Sequence, residues 1–181
     1  MTAASTGLRA SELRGLRWVD TDLRAGEIRV NQRADRFNVI GNPKTDGSRR
    51  TVPIGPEVVR DLTEWKVACP VKSGLNLVFP TSAGTIENHS NMLRSFEAVQ
   101  TSAGVVDKEG KPKYAMHALR HFFASWSINR RADGGRELPA KLVQSYLGHS
   151  SITMTLDIYG HLFPSNADRA ELAASEKALF G

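Results

Sequence analysis

Residues 117–159 read HALRHFFASWSINRRADGGRELPAKLVQSYLGHSSITMTLDIY, and the spacing of their apolar positions decides the fold class. From His117 to Asn129, the residues Leu119, Phe122, Phe123 and Trp126 recur at the three- and four-residue intervals of one helical face. Leu142, Val143 and Tyr146 mark a second helix over Leu138–Leu147, and Gly148 follows as its C-cap. Ile152–Tyr159 is a third, shorter helical piece. This half of the chain is therefore expected to be helical throughout.

The same reading extends outward. Asn88–Ala103 is a helix, and another follows Gly55-Pro56 with Val58, Val59, Leu62 and Trp65 on one face. A brief apolar piece, Leu77–Phe79, ends at Pro80. Ser11–Trp18 reads as a short helix capped by Ser11, with Leu13 and Leu16 to one side. Between these, β-favouring runs at Glu27–Asn31, Phe37–Ile40 and Arg50–Ile54 are separated by the turn signals Gly41-Asn42-Pro43 and Asp46-Gly47-Ser48. They predict a small antiparallel sheet, with Lys44 in the turn before its last strand. Ser165–Phe180 closes the chain as a helix capped by Ser165. The expected class is mainly α with a small three-stranded antiparallel sheet, an α+β fold in one domain without repeats or a long linker.

Composition bounds the function. The 181 residues are 40% hydrophobic and 24% charged, the balance of a soluble globular domain. One cysteine, Cys69, excludes an intramolecular disulfide and a cysteine-rich metal site. No apolar run has the ~20 residues that cross a bilayer, and no signal peptide opens the chain, so the cytoplasm is the expected compartment. The net charge of +5 is unevenly spread: residues 1–60 and 111–160 each carry a net +4, and residues 61–110 carry a net −2. Two basic stretches that fold together would make a positive face suited to a polyanion such as nucleic acid.

Six polar residues stand out: Arg9 at the entry to the first helix, Lys44, the pair His117 and Arg120, His149 after Leu147-Gly148, and Tyr159. His117 and Arg120 are three residues apart and project from the same helix face. Singly, each has an ordinary reading as a solvated charge, a helix cap or a half-buried aromatic. Asp20-Thr21-Asp22 beside a turn is read as solvated carboxylates rather than a cation site.

Taken in order, "TGLRASEL", "PKTDGSRRTVPI", "HALRH", "LGHSS" and "MTLDIYGHLFP" resemble the tyrosine recombinase (phage integrase) family, phage-type integrases above all, from Thr6 to Pro164. The resemblance implies a mainly helical catalytic domain with a three-stranded sheet on one edge. It also implies cleavage of double-stranded DNA by a tyrosine, leaving a 3′-phosphotyrosyl bond and a free 5′-hydroxyl, with no ATP, cofactor or metal. Matched to the family's motifs, Tyr159 is the nucleophile, and Arg9 and Arg120 bind the non-bridging phosphate oxygens. Lys44 is the general acid for the 5′-oxygen. His117 serves proton transfer at the nucleophile, and His149 hydrogen-bonds a phosphate oxygen. His121, in the same box, is given a packing or supporting role.

The resemblance further implies self-association on DNA, as a tetramer in the recombining complex. Only eight residues precede Arg9, where the family has more helical sequence and a DNA-gripping domain. Residues 1–181 are therefore read as a single catalytic domain shortened at its front. The segment 165–181 is expected to be a helix that can pack on a neighbouring protomer. Two other functions stay open on the sequence: a type IB topoisomerase, which shares the tyrosine chemistry, and an inactive DNA-binding remnant.

Overall fold

A computed structural model describes residues 1–43, 48–72, 74–163 and 169–180. Helices α1 (Thr2–Thr6) and α2 (Ala10–Arg14) lead into a 3-10 turn, Trp18–Asp20, and then strands β1 (Thr21–Asp22) and β2 (Glu27–Val30). A hairpin of β3 (Arg33–Ala34) and β4 (Ile40–Gly41) precedes β5 (Arg50–Pro53). Helices follow: α3 (Pro56–Ala68), α4 (His89–Ser102), α5 (Ala118–Ile128), α6 (Ala140–Leu147), α7 (Ile152–Tyr159) and α8 (Arg169–Phe180).

The three-stranded antiparallel sheet is present, but its members differ from the expected ones. Its order is β1-β2-β5, with Ile28 opposite both Thr21 and Val52. Residues 37–39 of the expected Phe37–Ile40 strand instead lie at the tip of the separate β3–β4 hairpin, where Asp35 accepts from the backbone N–H of Phe37 and Val39. A side chain that caps its own turn competes with ladder pairing. The first sequence-predicted helix is also shorter. It begins after Arg9, so Ser11 is helical rather than the cap, and it stops at Gly15.

Two apolar clusters meet at the sheet. One joins Leu8, Leu13, Leu16, Ile28, Val30, Val58, Leu62 and Val78. Leu77 and Val78, the brief apolar piece, lie against the α2 exit, where Val78 N–H donates to Leu16 O. The other cluster packs Val52 against Phe123, Ile128, Val143, Leu147 and Tyr159. Because Val52 and Ile28 are cross-strand partners, β5 ties the amino-terminal layer to the α5–α7 layer. Two sequence-predicted core residues lie outside: Phe122 is 58% exposed, and Leu142 sits at the solvent side of α6 while Leu147 is buried. Among the described residues, no helix is long and apolar enough to cross a membrane. Lys44 and Ser165 lie outside the described residues.

Candidate active site

Arg9 caps α2 from an extended backbone, just after the chain turns at Gly7 with φ 62°. A side chain at Gly7 would meet the Phe123 ring at 2.4 Å, so both the dihedral and the packing require glycine there. Glu12, one helical turn on, holds Arg9 twice: one carboxylate oxygen accepts from the Arg9 backbone N–H at 2.8 Å and the other from Nη1 at 3.0 Å. The same carboxylate accepts both Nη groups of Arg50, at 3.0 and 2.8 Å, with both side chains only 3% exposed. Burial alone would raise the Glu12 carboxyl, but the hydrogen bonds and charge of Arg50, with those of Arg9, outweigh it and keep Glu12 ionised below its usual range. Arg50 also donates from Nε to Tyr146 O at 2.6 Å, which binds β5 to the end of α6.

Arg120 is buried in the first turn of α5. Its Nη1 donates to Gly7 O at 2.7 Å and its Nη2 to Leu147 O. These carbonyls lie two residues before Arg9 and two before His149, so one guanidinium fixes both loops. Burial, then the charges of Arg9 and Arg50, lower its pKa to about 9, with Glu12 and Tyr159 opposing. It remains a cation at neutral pH.

Gly148 caps α6 in the left-handed region at φ 64°, as its sequence position predicts. Arg9 Nη2 lies 3.4 Å from Gly148 O, across 139 residues of sequence. His149 follows, 9% exposed, with Nδ1 2.9 Å from the hydroxyl of Thr155 on α7. Burial and the charges of Arg120, Arg9 and Arg50 bring its pKa down to about 4, so its ring is neutral at physiological pH.

Tyr159 ends α7, 4% exposed, with its ring in the second apolar cluster. Burial raises its hydroxyl pKa, and the Arg120 charge opposes the rise. The ring beside the Tyr159 hydroxyl is His121, not His117: His121 Nδ1 lies 2.7 Å from the Tyr159 oxygen. His117 precedes α5 at its N-cap position, with no capping hydrogen bond, and lies one ring further out, edge-on to His121 at 4.9 Å between centroids. The four-residue spacing of His117 and His121, which puts both rings on one helix face, is the signal in the sequence that brings them together. Glu12 and Arg50 had no such signal, because a helix glutamate and a strand arginine are ordinary surface residues until the fold pairs them.

A cavity of about 390 Å³ opens between Arg9 and His149, lined also by Ser11, Glu12, Gly148 and Ser150. Arg9, Arg120, His117, His149 and Tyr159 are thus brought into one electrostatic neighbourhood from three separated stretches of chain. Such a pocket suits a tetrahedral anion held by guanidinium forks and a neutral imidazole. Among the described residues, no three His, Cys, Asp or Glu side chains are grouped so as to hold a metal ion.

The phage integrase family matches residues 1–166. The chain belongs to this family. Among curated relatives, a tyrosine recombinase XerC-like protein of Caldanaerobacter subterraneus subsp. tengcongensis is 33% identical over 94% of this chain and 46% of its own length. Tyrosine recombinase XerC of Xylella fastidiosa is 36% identical over 87% of this chain and 45% of its own. The integrase of transposon Tn1549, solved in complex with a circular intermediate DNA, superposes with a TM-score of 0.73 at 26% identity, covering 97% of this chain and 56% of that one. As a phage integrase family member, the chain spans about half the length of the curated relatives it matches. Its fold is that of the family's catalytic domains.

Proposed function

We propose that this chain is the catalytic part of a site-specific DNA recombinase that cleaves and rejoins strands through Tyr159. The observation that carries the reading is the stapling of the Arg9 and His149 loops by Arg120, which sets the Arg9 guanidinium and the His149 imidazole on one cavity while the Arg120 charge acts on the Tyr159 hydroxyl. The Tyr159 oxygen attacks phosphorus and the bond to the 5′-oxygen breaks, giving a phosphotyrosyl ester and a 5′-hydroxyl. The phosphodiester energy is kept in that ester, so a second 5′-hydroxyl can reverse the step on a new partner.

Arg9 and Arg120 stabilise the charge that develops on the non-bridging oxygens, and each is worth ~10²–10³ in rate on the scale of single oxyanion donors. A Thr155 hydroxyl donating to Nδ1 puts the ring proton of His149 on Nε2, free to donate to the same oxygens. His121 takes the Tyr159 proton at Nδ1, supported by the 2.7 Å contact, with His117 beside it. Lys44 supplies the proton to the departing 5′-oxygen. Self-association on DNA is supported by apolar side chains left exposed on α7 and α8, among them Leu156, Ile158, Leu172, Leu179 and Phe180. The neighbour's catalytic domain is the surface they would cover.

The test is formation of an SDS-resistant adduct with nicked duplexes selected from a random-sequence pool. Wild-type chain forms it, and Tyr159→Phe binds the same duplexes with near-normal affinity but forms none. An adduct that survives Tyr159→Phe refutes the assignment.

A further inference from the structure

The active-site cavity continues into a second groove of about 330 Å³, and Arg9, Ser11 and Arg33 line both. The groove runs on between Arg33, Arg36, His89 and His117. Arg33 stands where the two meet. Its Nε is buried with no hydrogen-bond partner among the described residues. A buried guanidinium N–H left unpaired costs free energy unless an acceptor beyond the described residues meets it.

Arg33 is also held rigidly to the helix that carries Arg9. Gln32 donates from Nε2 to Gly15 O at 2.8 Å, at the α2 end opposite Arg9. A Cβ on Gly15 would lie 2.9 Å from Ala34 N and from the carbonyl carbon of Arg33, so β3 rests directly on this glycine. Buried Arg14 donates to Asp35 O, to Glu87 O and to the Asn38 side chain, which locks the hairpin to α2 and to the start of α4. Among the described residues lining the groove the acid is Asp35, whose charge interacts with Arg33 and Arg14 and whose Oδ1 accepts two backbone N–H groups of its own turn. Arg9, Arg14, Arg33 and Arg36 outnumber it and leave the groove cationic.

We propose that Arg33 binds a second phosphate of the DNA strand, the neighbour of the one seated at Arg9, so that two consecutive phosphates fix the strand across the α2 N-terminus. The proposal rests on the reading of the first cavity as the reacting phosphate's seat. Two adjoining cationic lobes with a shared wall suit consecutive phosphates, which follow at ~3.4 Å of helix axis along each strand. A single anchored phosphate can pivot, whereas two define the direction of the strand past Tyr159.

Thymidine 3′,5′-bisphosphate carries its two phosphates on one sugar, as neighbours on a strand do, and thymidine 5′-monophosphate is the comparison. Binding of each to the intact chain is followed by calorimetry or by arginine Nε–H resonances. Wild type should prefer the bisphosphate by about tenfold, the effect of one added charge-assisted hydrogen bond. Arg33→Ala should bring the ratio close to one, Arg33→Lys should keep part of it, and Arg24→Ala, in the β1–β2 turn, should keep all of it. Tyr159→Phe should also keep it, so loss of adduct chemistry and loss of this subsite are separate results. A bisphosphate preference that persists in Arg33→Ala, or that is missing in wild type, overturns the proposal.

Discussion

Replacing Glu12 by Gln should damage the protein more than any single change at the cavity mouth, because Glu12 is the anion that makes two cationic side chains tolerable. Arg50 is 3% exposed and takes both carboxylate oxygens, while Arg9 takes one through Nη1 and the other through its backbone N–H. Removing one partner of a buried pair leaves the other charge uncompensated, at a cost of ~3–5 kcal/mol. Gln keeps the shape and can still accept one hydrogen bond, so the lower end, about 3 kcal/mol, applies to Glu12→Gln. In a chain of this size each kcal/mol moves Tm by ~2–4 °C, so thermal unfolding should come some 6–12 °C earlier.

Calorimetry and urea unfolding measure the change, and the double variant Glu12→Gln/Arg50→Met tests its cause. With both charges gone, the double variant should recover ~1–3 kcal/mol relative to the sum of the singles. Arg9→Ala, whose side chain is 36% exposed, should leave stability nearly unchanged while cleavage falls. The contribution of Glu12 is also pH-dependent. Its folded pKa is depressed, so the stabilisation is complete above the ordinary carboxyl value of 4.5 and is lost as pH falls through the lower folded value. A Glu12→Gln protein within about 1 kcal/mol of wild type, or strictly additive single and double variants, would refute the account of a buried ion pair at the root of the site.

His149 predicts a second acid-labile term, since its folded pKa of about 4 lies below the 6.5 of a free imidazole. Stability should fall by up to about 3 kcal/mol between pH 6.5 and 4, and His149→Gln should flatten that limb of a pH-dependent unfolding series. Gly148→Ala should cost more than about 2 kcal/mol by the same measurement, because a Cβ there meets φ 64° and lies 2.9 Å from the pinned Arg50 Nη1. Gly160→Ala, with φ −56° and open space around it, is the control and should be nearly neutral. His121→Ala should slow adduct formation by ~10²–10⁴ with DNA affinity retained, the range for loss of a positioned acid–base group. A much larger loss in His117→Ala than in His121→Ala would return the proton-transfer role to His117.

The helices were readable because their signals are local. The spans of α3, α4 and α7 follow from local pattern, with Gly55-Pro56 and Asn88 at the starts of the first two. The five-residue α1 escaped that reading, since so short a helix completes little more than one turn of pattern. β1, of two residues, carries no alternation at all, and only its pairing with Ile28 and Glu27 makes it a strand. The Phe37–Ile40 run shows β propensity, yet the capping of its own turn by Asp35 and the grip of Arg14 on the hairpin decide its shape.

The sequence by itself determined the composition of the site and the helices that carry it: an arginine at a helix start, His117 and Arg120 on one face, a histidine after a glycine C-cap, and a tyrosine at a helix end. Spacing within a helix is fixed by backbone hydrogen bonds a few residues apart, and any reader of the chain can apply it. The tertiary structure alone decided which of these groups touch. That Arg120 joins the carbonyls of Gly7 and Leu147, that Glu12 answers to Arg50, and that His121 rather than His117 reaches Tyr159 are contacts across 113, 27, 38 and 38 residues. Contacts at such range depend on how two apolar clusters pack against a shared strand, and packing is a property of the whole chain rather than of any stretch of it.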